Sequence, residues 1–131
     1  MSFTLNPFLR QVLFVDAAVS GAAGLLMAAG APFLSPLLGL PENLLFWAGL
    51  ALFTFVALLI AVARRGKASR LILIDIIGIN ALWVAASFGL LLSGAAQPTM
   101  LGNAFVIAQA LAVALLAGLQ FIGLRRVTAT A

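Results

Sequence analysis

"LILIDIIGINALWVAASFGLLL", residues 71–92, decides the fold of this chain. The stretch has no lysine, arginine, histidine or cysteine, yet it holds Asp75, Asn80 and Trp83. At about 1.5 Å per residue, a helix of this length covers about 30 Å, the thickness of a bilayer's hydrocarbon core. Three other stretches have the same character, so spans are predicted at about 8–30, 43–63, 71–93 and 101–124. The fold class is therefore all-α: a polytopic membrane protein, a four-helix transmembrane bundle of up-down topology, forming a single domain over 1–131.

Composition agrees with that class. Of 131 residues 65% are hydrophobic and only 8% charged, with a mean hydropathy of +1.26. A soluble domain draws about a quarter of its residues from the charged set, and the 8% available here cannot cover a water-facing surface. The net charge of +4 does not signal nucleic acid, because the cations flank apolar spans instead of forming an aromatic-interleaved patch. Without cysteine or histidine there is no disulfide, no thiolate nucleophile and none of the usual zinc, iron or haem ligands, so no metal site is expected and no cofactor is specified. Asp16, Glu42 and Asp75 are the only carboxylates. No phosphate-binding glycine loop or catalytic triad is present, and the chain reads as a non-enzyme.

In chain order, a short polar lead-in ends at Asn6-Pro7, a cap followed by a first-turn proline. Asp16 interrupts what could otherwise pass for a signal sequence, so the first helix is read as a retained span. Residues 31–43, "APFLSPLLGLPEN", hold three prolines and a glycine and are expected to form a turn or interfacial loop, with Pro41 and Glu42 in the first turn of the second span. Gly66 should cap that span's C-terminus and Ser69 the N-terminus of the next. Residues 93–99 form a second loop, and the last helix should close at Leu124 before Arg125, Arg126 and a small polar tail.

All seven basic residues, Arg10, Arg64, Arg65, Lys67, Arg70, Arg125 and Arg126, fall beside the N-terminus, the middle loop or the C-terminus. The positive-inside rule then places both termini in the cytoplasm of a multi-pass protein of the bacterial inner membrane, with the basic rim facing anionic lipid headgroups. A weak internal repeat, 1–66 and 67–131, sets "VDAAVSGAAGLLMAAG" over "IDIIGINALWVAASFG" and pairs Asp16 with Asp75. It suggests a parallel repeat of two helical hairpins.

The candidate intramembrane polar site comprises Asp16, Asp75, Asn80, Trp83, Gln109 and Gln120. Asp16, Asp75 and Gln120 lie roughly 8–9 Å inside the basic rim, and Asn80 nearer the midplane. Gln109 and Gln120 share a stripe with Val113 and Leu116, and Asn80 shares one with Ser87 near Trp83. A carboxylate inside a span is a functional candidate by default, but Arg10 and Arg70 are close enough to anchor the two aspartates as ion pairs. The amides are typical interhelical hydrogen-bond formers. Trp83 is either core packing or the wall of a pocket for an apolar ligand. The first helix repeats small residues at four-residue spacing (Ala17-Gly21, Ser20-Gly24, Gly24-Ala28), which suits close approach within the bundle or to another protomer.

Two functions fit these residues. One is an accessory or structural integral membrane subunit that binds a partner membrane protein or lipid. The other is a small oligomeric proton-coupled transporter or exporter using Asp16 and Asp75. In "VDAAVSGAAGLLM", "NALWVAAS" and "LQFIGLRR" the chain resembles a family of small uncharacterised four-span bacterial inner-membrane proteins. That resemblance implies a fold and a compartment and no mechanism. In size and span count the chain is also similar to the small multidrug resistance exporters, whose first-helix carboxylate Asp16 could match. The chain departs from them in having aspartate there and no tyrosine. In architecture alone it is similar to the DoxX-like four-helix proteins.

Overall fold

Asn6 accepts a hydrogen bond from the Leu9 amide at 2.6 Å, and Pro7 follows with no amide hydrogen to waste, so helix α1 (Pro7–Ala29) starts where the sequence places it. The computed structural model describes residues 2–94 and 97–130; at 2, 3 and 127–130 only the backbone is described. After α1 come α2 (Ala31–Leu38), α3 (Glu42–Arg65), α4 (Arg70–Ser93) and α5 (Met100–Thr130). Among the described residues four helices are long and apolar enough to cross a membrane: α1, α3, α4 and Met100–Arg126 of α5. The protein is an all-α, four-span bundle.

Three local expectations are corrected. Residues 31–38 form a short helix instead of a loop. Pro32 stands in its first turn, where the missing amide hydrogen would be unpaired anyway, and Pro36 removes a single intrahelical bond. Gly39 then ends the helix at φ 71°, a left-handed conformation that glycine adopts without cost. The lead-in is a strand, β1 (Ser2–Thr4), paired antiparallel with β2 (Lys67–Ser69) and extended by the Leu5 amide to the Gly66 carbonyl at 2.8 Å. The last helix runs past Arg125 and Arg126 to Thr130, since nothing in that sequence breaks it. Part of the second expected loop, residues 95 and 96, lies outside the described residues.

The spans pack as two couples, α1 along α3 and α4 along α5, with α1 also touching α5. α3 and α4 are neighbours in sequence but barely touch. α1 and α3 cross at Gly24 and Gly49: a methyl group added at Gly49 would sit 2.6 Å from the Ala28 nitrogen and 2.7 Å from the Gly24 carbonyl oxygen. The small-residue track of α1 is thus used inside the chain. At the basic end, Asn6 also donates to the Gly123 carbonyl (3.4 Å), so the start of α1, the end of α5 and the β1–β2 clip share one level. At the far end, Thr99 caps α5 by accepting from the Gly102 amide (3.1 Å) and ties it to α2 by donating to the Leu37 carbonyl (2.9 Å).

The core divides in two. Leu9, Leu13, Phe55, Leu59, Leu73 and Ile76 are among those filling the basic half, and Met27, Leu34, Leu38, Leu45, Leu52 and Val106 the far half. A polar layer lies between them.

Candidate functional site

On α1 the buried residues Leu9, Leu13, Asp16, Ser20, Gly24 and Met27 recur every three or four positions. That spacing defines one helix face, so Asp16 is carried inward with its apolar neighbours and is fully buried. Its Oδ1 accepts from Ser20 Oγ at 2.9 Å, one turn along the same helix. Its Oδ2 accepts from Asn80 Nδ2 at 2.9 Å and from Gln120 Nε2 at 2.6 Å. Asn80 Nδ2 also donates to Gln120 Oε1 at 3.0 Å, closing a ring of three side chains from α1, α4 and α5. Such a ring specifies which faces meet, because every alternative docking leaves a polar group unpaired in hydrocarbon.

This arrangement corrects two expectations. Asp16 is held by neutral donors, not by Arg10. Their separation of six positions corresponds to about 600° of helix rotation, which puts the two side chains on different faces. Arg10 is exposed and lies over the Phe14 ring, 5.9 Å from its centre. Asn80 is level with Asp16 and Gln120 instead of nearer the midplane. Depth counted from the basic residues misleads, because Arg10 lies a turn inside α1 whereas Arg70 opens α4; counted from the helix starts at Pro7 and Arg70, Asp16 is nine positions in and Asn80 ten.

Asp75 belongs elsewhere. It is exposed and does not share the interior with Asp16, Asn80 and Gln120. Five residues from Asn80, it is rotated by about 140° and points away from the chain's core. Among the described residues it has no hydrogen-bond or ion-pair partner. The two positions aligned by the internal repeat, Asp16 and Asp75, therefore stand in different environments.

A second polar cluster sits further along α4 and α5. Trp83 Nε1 donates to Gln109 Oε1, and Gln109 Nε2 donates to Ser87 Oγ (3.0 Å) and to the Val106 carbonyl (2.8 Å). Ser87 Oγ in turn donates to the Trp83 carbonyl at 2.7 Å. This cluster borders a cavity of about 220 Å³, walled by Met27, Leu45, Ala48, Leu90 and Phe105 among others. A smaller cavity of about 90 Å³ lies beside Ser20, Phe55, Asn80 and Trp83.

The basic residues collect at one end. Arg64 and Arg65 occupy the last turn of α3, with Gly66 as its left-handed cap. Lys67 is in β2, and Arg70 opens α4 behind the Ser69 cap, whose hydroxyl accepts from the Ile72 amide. Arg125 and Arg126 lie over the Phe121 and Phe8 rings at 5.8 and 5.0 Å. Among the described residues no group of three histidine, cysteine, aspartate or glutamate side chains could hold a metal ion.

Ser20 completes the site and is missing from the candidates read in sequence. Its signal is the Asp16-to-Ser20 spacing of four, one turn of helix. Comparison with protein families, curated proteins and solved structures finds no match to this chain.

Proposed function

We propose that the protein is an accessory or structural subunit of a membrane assembly, with α4 laid against a transmembrane helix of a different protein. The observation that carries this is Asp75: an exposed carboxylate on a span, about five residues or 8 Å inside the basic end, with no partner among the described residues. A carboxylate facing lipid is costly, and such groups pair with a cation or a hydrogen-bond donor. Asp75, Gly78, Leu82, Ala85 and Gly89 follow one another at spacings of three and four, and all are exposed. Nothing stands within 4 Å of a methyl group added at Gly78 or Gly89, so the face is open to another helix. α4 is also the least buried of the four spans. A symmetric pairing of two copies along this face would set Asp75 against Asp75, which favours a heterologous partner carrying arginine, lysine or an amide at that depth.

Gentle extraction followed by native mass spectrometry tests this. The wild-type chain should carry a stoichiometric second subunit, and Asp75→Leu should release it at least tenfold more readily. The melting temperature of the isolated chain should not change, because Asp75 makes no bond to any of the described residues. A bare chain, or a complex indifferent to Asp75→Leu, would rule the role out.

The orientation proposed is basic end in the cytoplasm, with Arg64, Arg65, Lys67 and Arg70 at the anionic headgroups of a bacterial inner membrane. The cysteine-free sequence makes the check direct. A single cysteine at Gln97 should react with an impermeant maleimide added to intact cells, and one at Lys67 only after the membrane is opened. The reverse pattern would invert the orientation.

One observation favours the second reading, an oligomeric proton-coupled transporter using Asp16 and Asp75. The 90 Å³ cavity touches Ser20 and Asn80, each one hydrogen bond from Asp16. Ligand-dependent proton release from reconstituted protein, lost in Asp16→Asn, would select that reading over the accessory role.

A further inference from the structure

We propose that the 220 Å³ cavity between α3 and α4 is a lipid site, which takes an acyl chain of an amine-headed phospholipid from the leaflet opposite the basic end. The cavity lies in the far half of the bundle, from Leu40 and Leu44 down to Trp83 and Gln109. It exists because α3 and α4 barely touch there, and Leu44 and Ala86, on the two sides of the gap, are exposed. Its mouth therefore opens sideways, toward lipid.

The floor of the cavity decides what can enter. Trp83 and Ser87 each have one side-chain donor hydrogen and Gln109 has two; all four are already spent on Gln109, Trp83, Ser87 and Val106. No donor remains for a headgroup, a carbonyl or a chain of water. The other walls are leucine, methionine, alanine, valine and phenylalanine, so the complementary occupant is hydrocarbon. A leucine- and phenylalanine-lined cavity of about 150 Å³ accepts a six-carbon ring, so by proportion this one holds roughly nine carbons, a length of acyl chain.

The headgroup is set by charge at the mouth. Glu42 is exposed at the start of α3, one turn from the cavity-lining Leu45 on the same face. It is the one carboxylate of the chain away from the basic end, and no lysine or arginine occurs between residues 11 and 63 or 71 and 124. A lipid whose head ends in an ammonium group is attracted there, and one with a net negative head is not.

The test uses the full chain in detergent with Trp47→Phe, which leaves Trp83 as the one tryptophan. Phosphatidylethanolamine brominated on its acyl chain is titrated in, with brominated phosphatidylglycerol in parallel. Trp83 emission should fall at least twofold and saturate near one phosphatidylethanolamine per protein, with several-fold weaker response to phosphatidylglycerol. Ala86→Phe and Ala48→Phe, which fill the cavity from opposite walls, should each abolish the saturable part while helix content by circular dichroism stays unchanged. Glu42→Gln should erase the preference between the two lipids. Quenching that rises without saturation means ordinary lipid contact and overturns the site. Saturable quenching that survives in whichever filled variant keeps its helix content also overturns it, and an equal response of the Glu42 protein to both lipids overturns the headgroup assignment.

Discussion

Replacing Asp16 by leucine is expected to lower the stability of the extracted protein by about 2–4 kcal/mol, read from its unfolding curve in denaturant. The side chain accepts three hydrogen bonds in a fully buried layer, and leucine accepts none. Ser20 can turn its hydroxyl to a carbonyl of its own helix, and Asn80 keeps its bond to Gln120 Oε1. Gln120 Nε2 has no such retreat, and a buried donor without a partner costs about 1–3 kcal/mol. Interhelical hydrogen bonds in membranes average only about 0.6 kcal/mol, so the loss comes mainly from the donors left behind. Asp16→Asn should behave differently. Its amide oxygen can take the place of Oδ2 for Asn80 and Gln120, while its NH₂ donates to Ser20 Oγ. A stability loss under about 1 kcal/mol is expected. If asparagine proved as damaging as leucine, the charge itself, and not the ring of donors, would hold the three helices.

Gly49→Leu is expected to cost more than about 3 kcal/mol and to separate α1 from α3. At Gly49 even a bare Cβ would stand 2.6 Å from the Ala28 nitrogen and 2.9 Å from the Ala28 Cβ. These are backbone and first-atom contacts, which no side-chain rotation relieves, so the helices must move apart. Their long joint interface, running through Phe55 and Leu59 on α3 and Leu13 and Ala17 on α1, would then open. Gly78→Leu is the matched control, since nothing lies within 4 Å of that position. It should leave the melting curve of the isolated chain within about 0.5 kcal/mol of wild type. A Gly49→Leu protein as stable as the control would show that the Gly24–Gly49 crossing is not what sets the α1–α3 distance.

The spans are legible from sequence because an apolar run of about twenty residues flanked by arginines has few other fates. Their ends agree with the structure to within two residues where a chemical signal marks them: Asn6 with Pro7, Gly66 and Ser69. The α2 helix is illegible for the opposite reason. Pro32 and Pro36 are counted as breakers, although one of them sits where a helix tolerates it. The three-residue strands are too short to show alternation. Within the site, residue types and helix faces are readable: Gln109, Val113, Leu116 and Gln120 do form one inward stripe, and Asp75 does diverge from Asn80. Which helices become neighbours is not readable. The Asp16–Asn80–Gln120 ring depends on α4 and α5 both docking against the Asp16 face of α1, which no local pattern encodes. The pairings of Arg10 and Arg70 with the aspartates fail because Asp16 is turned into the core among neutral donors and Asp75 is turned out of it.

The bonds that hold Asp16 are also spread through time. Asn80 follows it by 64 residues and Gln120 by 104. At a synthesis rate of about 5–20 residues per second, Gln120 leaves the ribosome roughly 5–20 s after Asp16. Until Asn80 emerges, the nascent hairpin carries an acid into the bilayer with only Ser20 to answer it, and until Gln120 emerges, with only Ser20 and Asn80. A chain cut short before α5 would lack the Gln120 donor permanently and leave Asn80 without its second acceptor.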